Sequence, residues 1–181
     1  QWGCSPMKVR KAAIWGLLAI TGLILESTLF ARGALYGSRP DLLLIYSVYS
    51  GVFRGKWAGT RTGFLLGLME DLFQGRMVGI NALTKAFAGF LAGMVEKEIV
   101  KENVLISVFT VWVFSLLNTF AYGLLVVIIG YGWTLGFNYL STVLTFALYN
   151  SLLALVLFPL MYYLMLKGPL RIERRKTGGT I

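Results

Sequence analysis

The chain has 181 residues, 57% of them hydrophobic, with a mean hydropathy of +0.72 and a net charge of +9 from 17 Lys and Arg against 8 Asp and Glu. No charged residue falls between Glu102 and Lys167, a run of 64 positions that a soluble domain of this size could not hide from water. There is no histidine and one cysteine, Cys4, which excludes an internal disulfide and a Cys/His metal site; the basic excess gathers beside apolar segments at the two ends and points to anionic lipid, not to nucleic acid.

Residues 1 to 6, ahead of Met7, read as a cloning remnant or a processed leader, and Cys4 within them is given no function. Six apolar segments follow: Ala12 to Phe30, Pro40 to Phe53, Trp57 to Phe73, Gly79 to Val95, Val104 to Ile129 and Leu140 to Leu166. A hydrocarbon core of roughly 30 Å takes about 20 apolar residues per helix, so the pattern predicts an all-α, six-span membrane domain over residues 7 to 170, with a basic cytoplasmic tail from 171 to 181. With the N-terminus inside, Lys8, Arg10, Lys11, Arg54, Lys56, Arg61, Lys97, Lys101, Lys167, Arg171, Arg174, Arg175 and Lys176 are cytoplasmic, against Arg32, Arg39 and Arg76 outside. That asymmetry is the one the positive-inside rule favours. The second segment is short for a span, and a re-entrant hairpin there would give five spans with the N-terminus outside. The basic cluster just before the first span favours six.

Small residues are spaced for helix packing. Gly55, Gly59, Gly63 and Gly67 recur every fourth position in the third segment, and Gly75, Gly79, Ala82, Ala86, Gly89 and Gly93 follow at spacings of three or four. Such stripes let two backbones approach closely, either within one subunit or across a homodimer, and packing within the subunit is the expectation. In the neutral spans Asn118, Asn150 and Tyr122 are placed to hydrogen-bond across helices, Pro159 to bend the last helix, and Tyr131, Trp133 and Tyr139 to mark the outer interface.

Four of the acidic residues, Glu26, Asp41, Glu70 and Asp71, fall in the outer half of the bilayer or at its outer surface, and Lys85 lies at a depth close to that of Glu70 and Asp71. Charges inside a membrane pair or face water, so Lys85 is expected to pair with Glu70 or Asp71. Either that pair fixes the register of two helices, or the cluster lines an outward cleft where a partner or small ligand docks. Adjacent residues on a helix point about 100° apart, so Glu70 and Asp71 do not form a facing acid/base pair. With no nucleophile elbow, phosphate loop or metal motif, an enzyme and a cofactor are not expected.

The runs Leu25-Glu26-Ser27, Arg39-Pro40-Asp41-Leu42-Leu43-Leu44-Ile45, Gly63-Phe64-Leu65-Leu66-Gly67-Leu68-Met69-Glu70-Asp71-Leu72-Phe73, and Gly79 with Ala82-Leu83 resemble MreD, the bacterial rod shape-determining membrane protein family. The resemblance implies a non-enzymatic inner-membrane component of the elongation machinery that organises peptidoglycan synthesis and cell shape with MreC, MreB, the RodA glycosyltransferase and a class B penicillin-binding protein. It also implies a fold similar to the substrate-binding subunits of energy-coupling-factor vitamin transporters. A subunit of that kind is the alternative function, with Ala12 and Gly16 as its docking spacing. On the first reading, MreC docks near Glu26, Glu70 and Asp71; whether the protein acts as scaffold or activator stays open.

Overall fold

The computed structural model describes residues 6–32, 39–75, 78–95, 103–130 and 137–170. They form six helices: α1 (Pro6–Arg32), α2 (Leu42–Arg54), α3 (Lys56–Gln74), α4 (Ile80–Ala92), α5 (Val104–Ile128) and α6 (Phe137–Tyr162), the last running into a π-helical turn, Tyr163–Lys167. Cys4, the charged run from Glu96 to Glu102, Tyr131, Trp133 and the 171–181 tail lie outside the described residues, as does the side chain of Tyr139.

The organising element is α2. Every residue from Leu42 to Phe53 is buried, the small polar Ser47 and Ser50 included, so the helix is enclosed by neighbours on every side. Ala19 and Leu23 of α1, Leu66 of α3, Ala88 and Ala92 of α4, Val111 and Phe114 of α5, and Ala154 and Phe158 of α6 form one core with it. The re-entrant hairpin considered for this segment does not form. The helix is unbroken and runs antiparallel to α1, with Glu26 reaching the amide of Leu42 at one end and the Arg54 guanidinium lying 5.5 Å over the Trp15 ring at the other. Thirteen residues give about 20 Å of helix, but an element sheathed in protein has no need to match the lipid thickness.

Around this axis each helix runs antiparallel to the next in sequence. Ser50 and Thr62 share a hydrogen bond of 2.9 Å between α2 and α3, the Tyr49 hydroxyl donates to the Ala154 carbonyl of α6 at 3.0 Å, and Ser107 of α5 donates to the same hydroxyl at 3.2 Å. The α3/α4 contact is the closest in the molecule. A Cβ on Gly59 would collide with Gly89, one on Gly63 with the Lys85 carbonyl, and one on Gly67 with Asn81 and Ala82. Each step of four residues up α3 is therefore answered by four down α4. The two small-residue stripes meet within the chain, with Gly89 and Gly93 seated on Gly59 and Lys56.

Gly55 does not belong to that stripe. It sits in the reversal between α2 and α3 at φ 93°, ψ 166°, a region open only to glycine, and a Cβ there would meet nothing within 4 Å. The fourfold spacing counted across a helix break. Gly55→Ala is expected to cost about 1–3 kcal/mol through backbone conformation alone, read as a lower unfolding midpoint in detergent. Gly75 and Gly79 are likewise helix ends in left-handed conformations, and Gly79 with the Gly93 cap shortens the fourth helix to Ile80–Ala92.

The outer surface is apolar. Leu17, Ile20 and Ile24 on α1, Leu65 and Leu72 on α3, Phe87 on α4, Phe109 and Phe120 on α5, and Leu148 and Val156 on α6 are all more than 45% exposed. Val104–Ile128 and Leu140–Lys167 are long and apolar enough to cross a membrane, yet only 22% and 28% of their most apolar windows are buried in the protein. Apolar helices that turn most of their surface outward are solvated by lipid, unlike the core helices of a soluble protein.

Candidate functional site

The N-terminus of α2 lies inside the bundle, and its unsatisfied amides draw acidic groups to it. Asp41 is the N-cap, its Oδ1 accepting from the Leu44 amide at 2.7 Å. Glu26 of α1 reaches the same turn, Oε1 accepting from the Leu42 amide at 2.6 Å and from Leu43 at 3.4 Å. The first-turn amides and the positive end of the helix dipole are thus met by two carboxylates. The Asp41 backbone amide donates to Asn150 Oδ1 at 2.7 Å, and Asn150 Nδ2 donates to Ser115 Oγ at 3.0 Å, which ties α2 to α5 and α6.

Asp41 then hands the network on to α4 and α3. Its Oδ2 accepts from Lys85 Nζ at 2.5 Å, and the same ammonium lies 2.6 Å from Glu70 Oε2, while Glu70 Oε1 accepts from Gln74 Nε2 at 2.9 Å. Lys85 is fully buried, and Asp41 and Glu70 are at 8% and 6% exposure. One buried cation is shared by two buried carboxylates, which satisfies the rule that charges removed from water are paired. The lysine backbone is fixed as well, since Ser47 Oγ donates to the Lys85 carbonyl at 2.9 Å.

Asp71 points elsewhere, as expected for a residue adjacent to Glu70 on a helix, and it does not pair with Lys85. It caps α4 from across the turn. Oδ2 accepts from the amides of Gly79 and Ala82 at 2.8 and 3.1 Å, and Oδ1 from the Asn81 side chain and amide at 2.9 and 3.3 Å. Asp71→Ala is expected to lower stability by about 2 kcal/mol and Asp71→Asn by about half that, measured by denaturant titration in detergent. Equal stability of Asp71→Ala and the parent would mean that water caps α4 just as well.

Above this network the bundle opens. A cavity of about 530 Å³ is lined by Leu23, Glu26, Ser27, Arg39, Pro40, Asp41, Glu70, Phe73, Gln74 and Phe146. A second, of about 360 Å³, shares Arg39, Asp41, Glu70, Gln74 and Phe146 with it and adds Asn81, Asn118, Thr119, Tyr122 and Thr142. Together they make one cleft at the end of the bundle where α2 and α4 begin. Of the residues singled out in the sequence, Glu26, Asp41 and Glu70 line it, whereas Lys85 and Asp71 lie below as its support. Asn150 bonds across helices as expected, and Tyr122 lines the cleft. Ser47 and Ser115 went unnoticed in the sequence; their only signal was a small hydroxyl in an apolar helix. Among the described residues no group of three or more His, Cys, Asp or Glu is placed to hold a metal ion.

Apolar outer faces, a wholly buried central helix and charges gathered in the core beneath one open end define an α-helical membrane protein whose polar chemistry is devoted to helix placement and a cleft. The chain belongs to the MreD family: the family model described as rod shape-determining protein MreD matches residues 8–167. Membership brings a rod shape-determining role, that of a structural family with no known catalysis. No curated protein matches the chain, and no solved structure does, so the likeness to transporter subunits has no structural match behind it.

Proposed function

We propose that this protein is a non-enzymatic inner-membrane component of the bacterial elongation complex, with six spans and both termini in the cytoplasm, and that it binds MreC at its outer end. MreB, RodA and a class B penicillin-binding protein join it in the larger assembly, and anionic lipid meets the basic residues flanking the first and last helices. One observation carries the docking site. In a chain of this family, with a lipid-type exterior, the large polar opening is lined by Glu26, Asp41 and Glu70. Its carboxylates hold helix ends and Lys85, a structural role that suits the floor of a docking cleft better than acid/base work.

Two experiments test this. Crosslinkable residues at Ser27 and Gln74, which edge the cleft without belonging to the charge network's ion pairs, should trap MreC in cells, while the same residues at Leu65 or Phe109 on the lipid face should not. Failure at the cleft with capture at the lipid face moves the docking site onto the helix exterior. A tag on the N-terminus should be inaccessible in intact cells; labelling from outside contradicts the orientation.

A further inference from the structure

Three carboxylates, Glu26, Asp41 and Glu70, border the cleft, and its rim cation, Arg39, borders both cavities without forming an ion pair among the described residues. Lys85 is shared by Asp41 and Glu70, and Glu26 makes no ion pair among the described residues. Independently of the acidic groups, Asn118 is at 5% exposure and lines the second cavity, yet its Oδ1 has no hydrogen-bond partner among the described residues. A buried carbonyl left without a donor costs about 1–3 kcal/mol, so the cavity beside it is where a donor from outside the chain, solvent or a docked segment, meets it. The walls beside these acceptors are Leu23, Phe73 and Phe146, an apolar surface over which the stem of a long cationic side chain can lie.

We propose that the cleft is a receptor for a basic side chain: an arginine carried just outside the lipid by a partner's membrane-anchored segment. Its guanidinium donates to the carboxylates of Glu26 and Glu70, and the Asn118 carbonyl accepts from the same segment. Arginine suits the site better than lysine, because five N–H donors in a planar fork can serve several acceptors at once while an ammonium offers a point charge. The proposal rests on the reading that a partner docks in the cleft, and it adds which chemistry that partner must bring.

The test uses the full chain in native membranes with a photo-reactive benzoylphenylalanine in place of Phe146, which borders both cavities. The captured peptide should contain arginine or lysine within about four residues of the crosslink, the reach of such a side chain. Glu26→Gln, which keeps an oxygen for the Leu42 amide, and Asn118→Leu should each lower capture by about tenfold or more with unchanged size-exclusion profiles. Replacing the partner's basic residue by glutamine, with this chain intact, should lower it equally, so that the inference stands on a second variant if either substitution here impairs folding. A captured segment without a basic residue, capture indifferent to all three changes, or crosslinks to lipid alone would overturn the inference. A basic segment from a protein other than MreC would keep the inference and remove the partner assignment; MreC captured through a neutral segment would do the reverse.

Discussion

Lys85→Met is expected to lose about 3–5 kcal/mol of stability, because it leaves the carboxylates of Asp41 and Glu70 buried without a cation. The damage should spread. Asp41 also caps α2 and holds Asn150 through its amide, so a charge that swings out of the core to find water takes the start of the central helix with it. The measurement is the monodisperse fraction and unfolding midpoint in mild detergent. The triple replacement Asp41→Asn, Glu70→Gln, Lys85→Met should recover most of the loss, since neutral groups of similar shape leave no charge to bury. If Lys85→Met instead stays monodisperse with an unchanged midpoint and loses only partner capture, the lysine serves the cleft and not the fold.

Gly63→Leu is expected to prevent assembly of the α2/α3/α4 core. Even the Cβ of alanine would overlap the Lys85 carbonyl and Ser47 Oγ, so Gly63→Ala should cost about 1–3 kcal/mol and leucine far more. The backbone cannot give way cheaply, because Ser47 Oγ bonds that same carbonyl and the Lys85 side chain is held at its far end by two carboxylates. Gly16→Leu is the control, since a Cβ at Gly16 meets nothing within 4 Å and leucine there faces the exterior of the bundle. Expression level and size-exclusion profile should separate the two. A well-folded Gly63→Leu protein would mean that α3 and α4 are farther apart in the membrane than described here.

The six helices among the described residues are readable from hydropathy because lipid-facing helices must be apolar along their length, and the depth argument that sets Lys85 beside Glu70 needs only the antiparallel order of α3 and α4. What could not be read was α2. Its small and polar face, Ser47, Ser50, Gly51 and Arg54, marks one packed side, but the residues show neither which face meets α1 nor that the N-cap sits inside the bundle, so Asp41 is placed at the outer end with no partner named. Lys85 chose Glu70 and Asp41 over Asp71 because the neighbouring acid was already committed to the first amides of α4. Gly55 was misread for a simpler reason. Spacing of four marks a packing stripe only while the helix lasts, and α2 ends one residue earlier.

The central claim, that the cleft joins this protein to the elongation machinery, is met most directly by a pull-down of the C-terminally tagged chain from native membranes in mild detergent, with proteins identified by mass spectrometry and small molecules extracted in parallel. MreC accompanied by wall-synthesis enzymes is the predicted result. Coupling ATPases with a transmembrane subunit, or a vitamin at one per chain, would contradict it and make the cleft a transporter's ligand pocket.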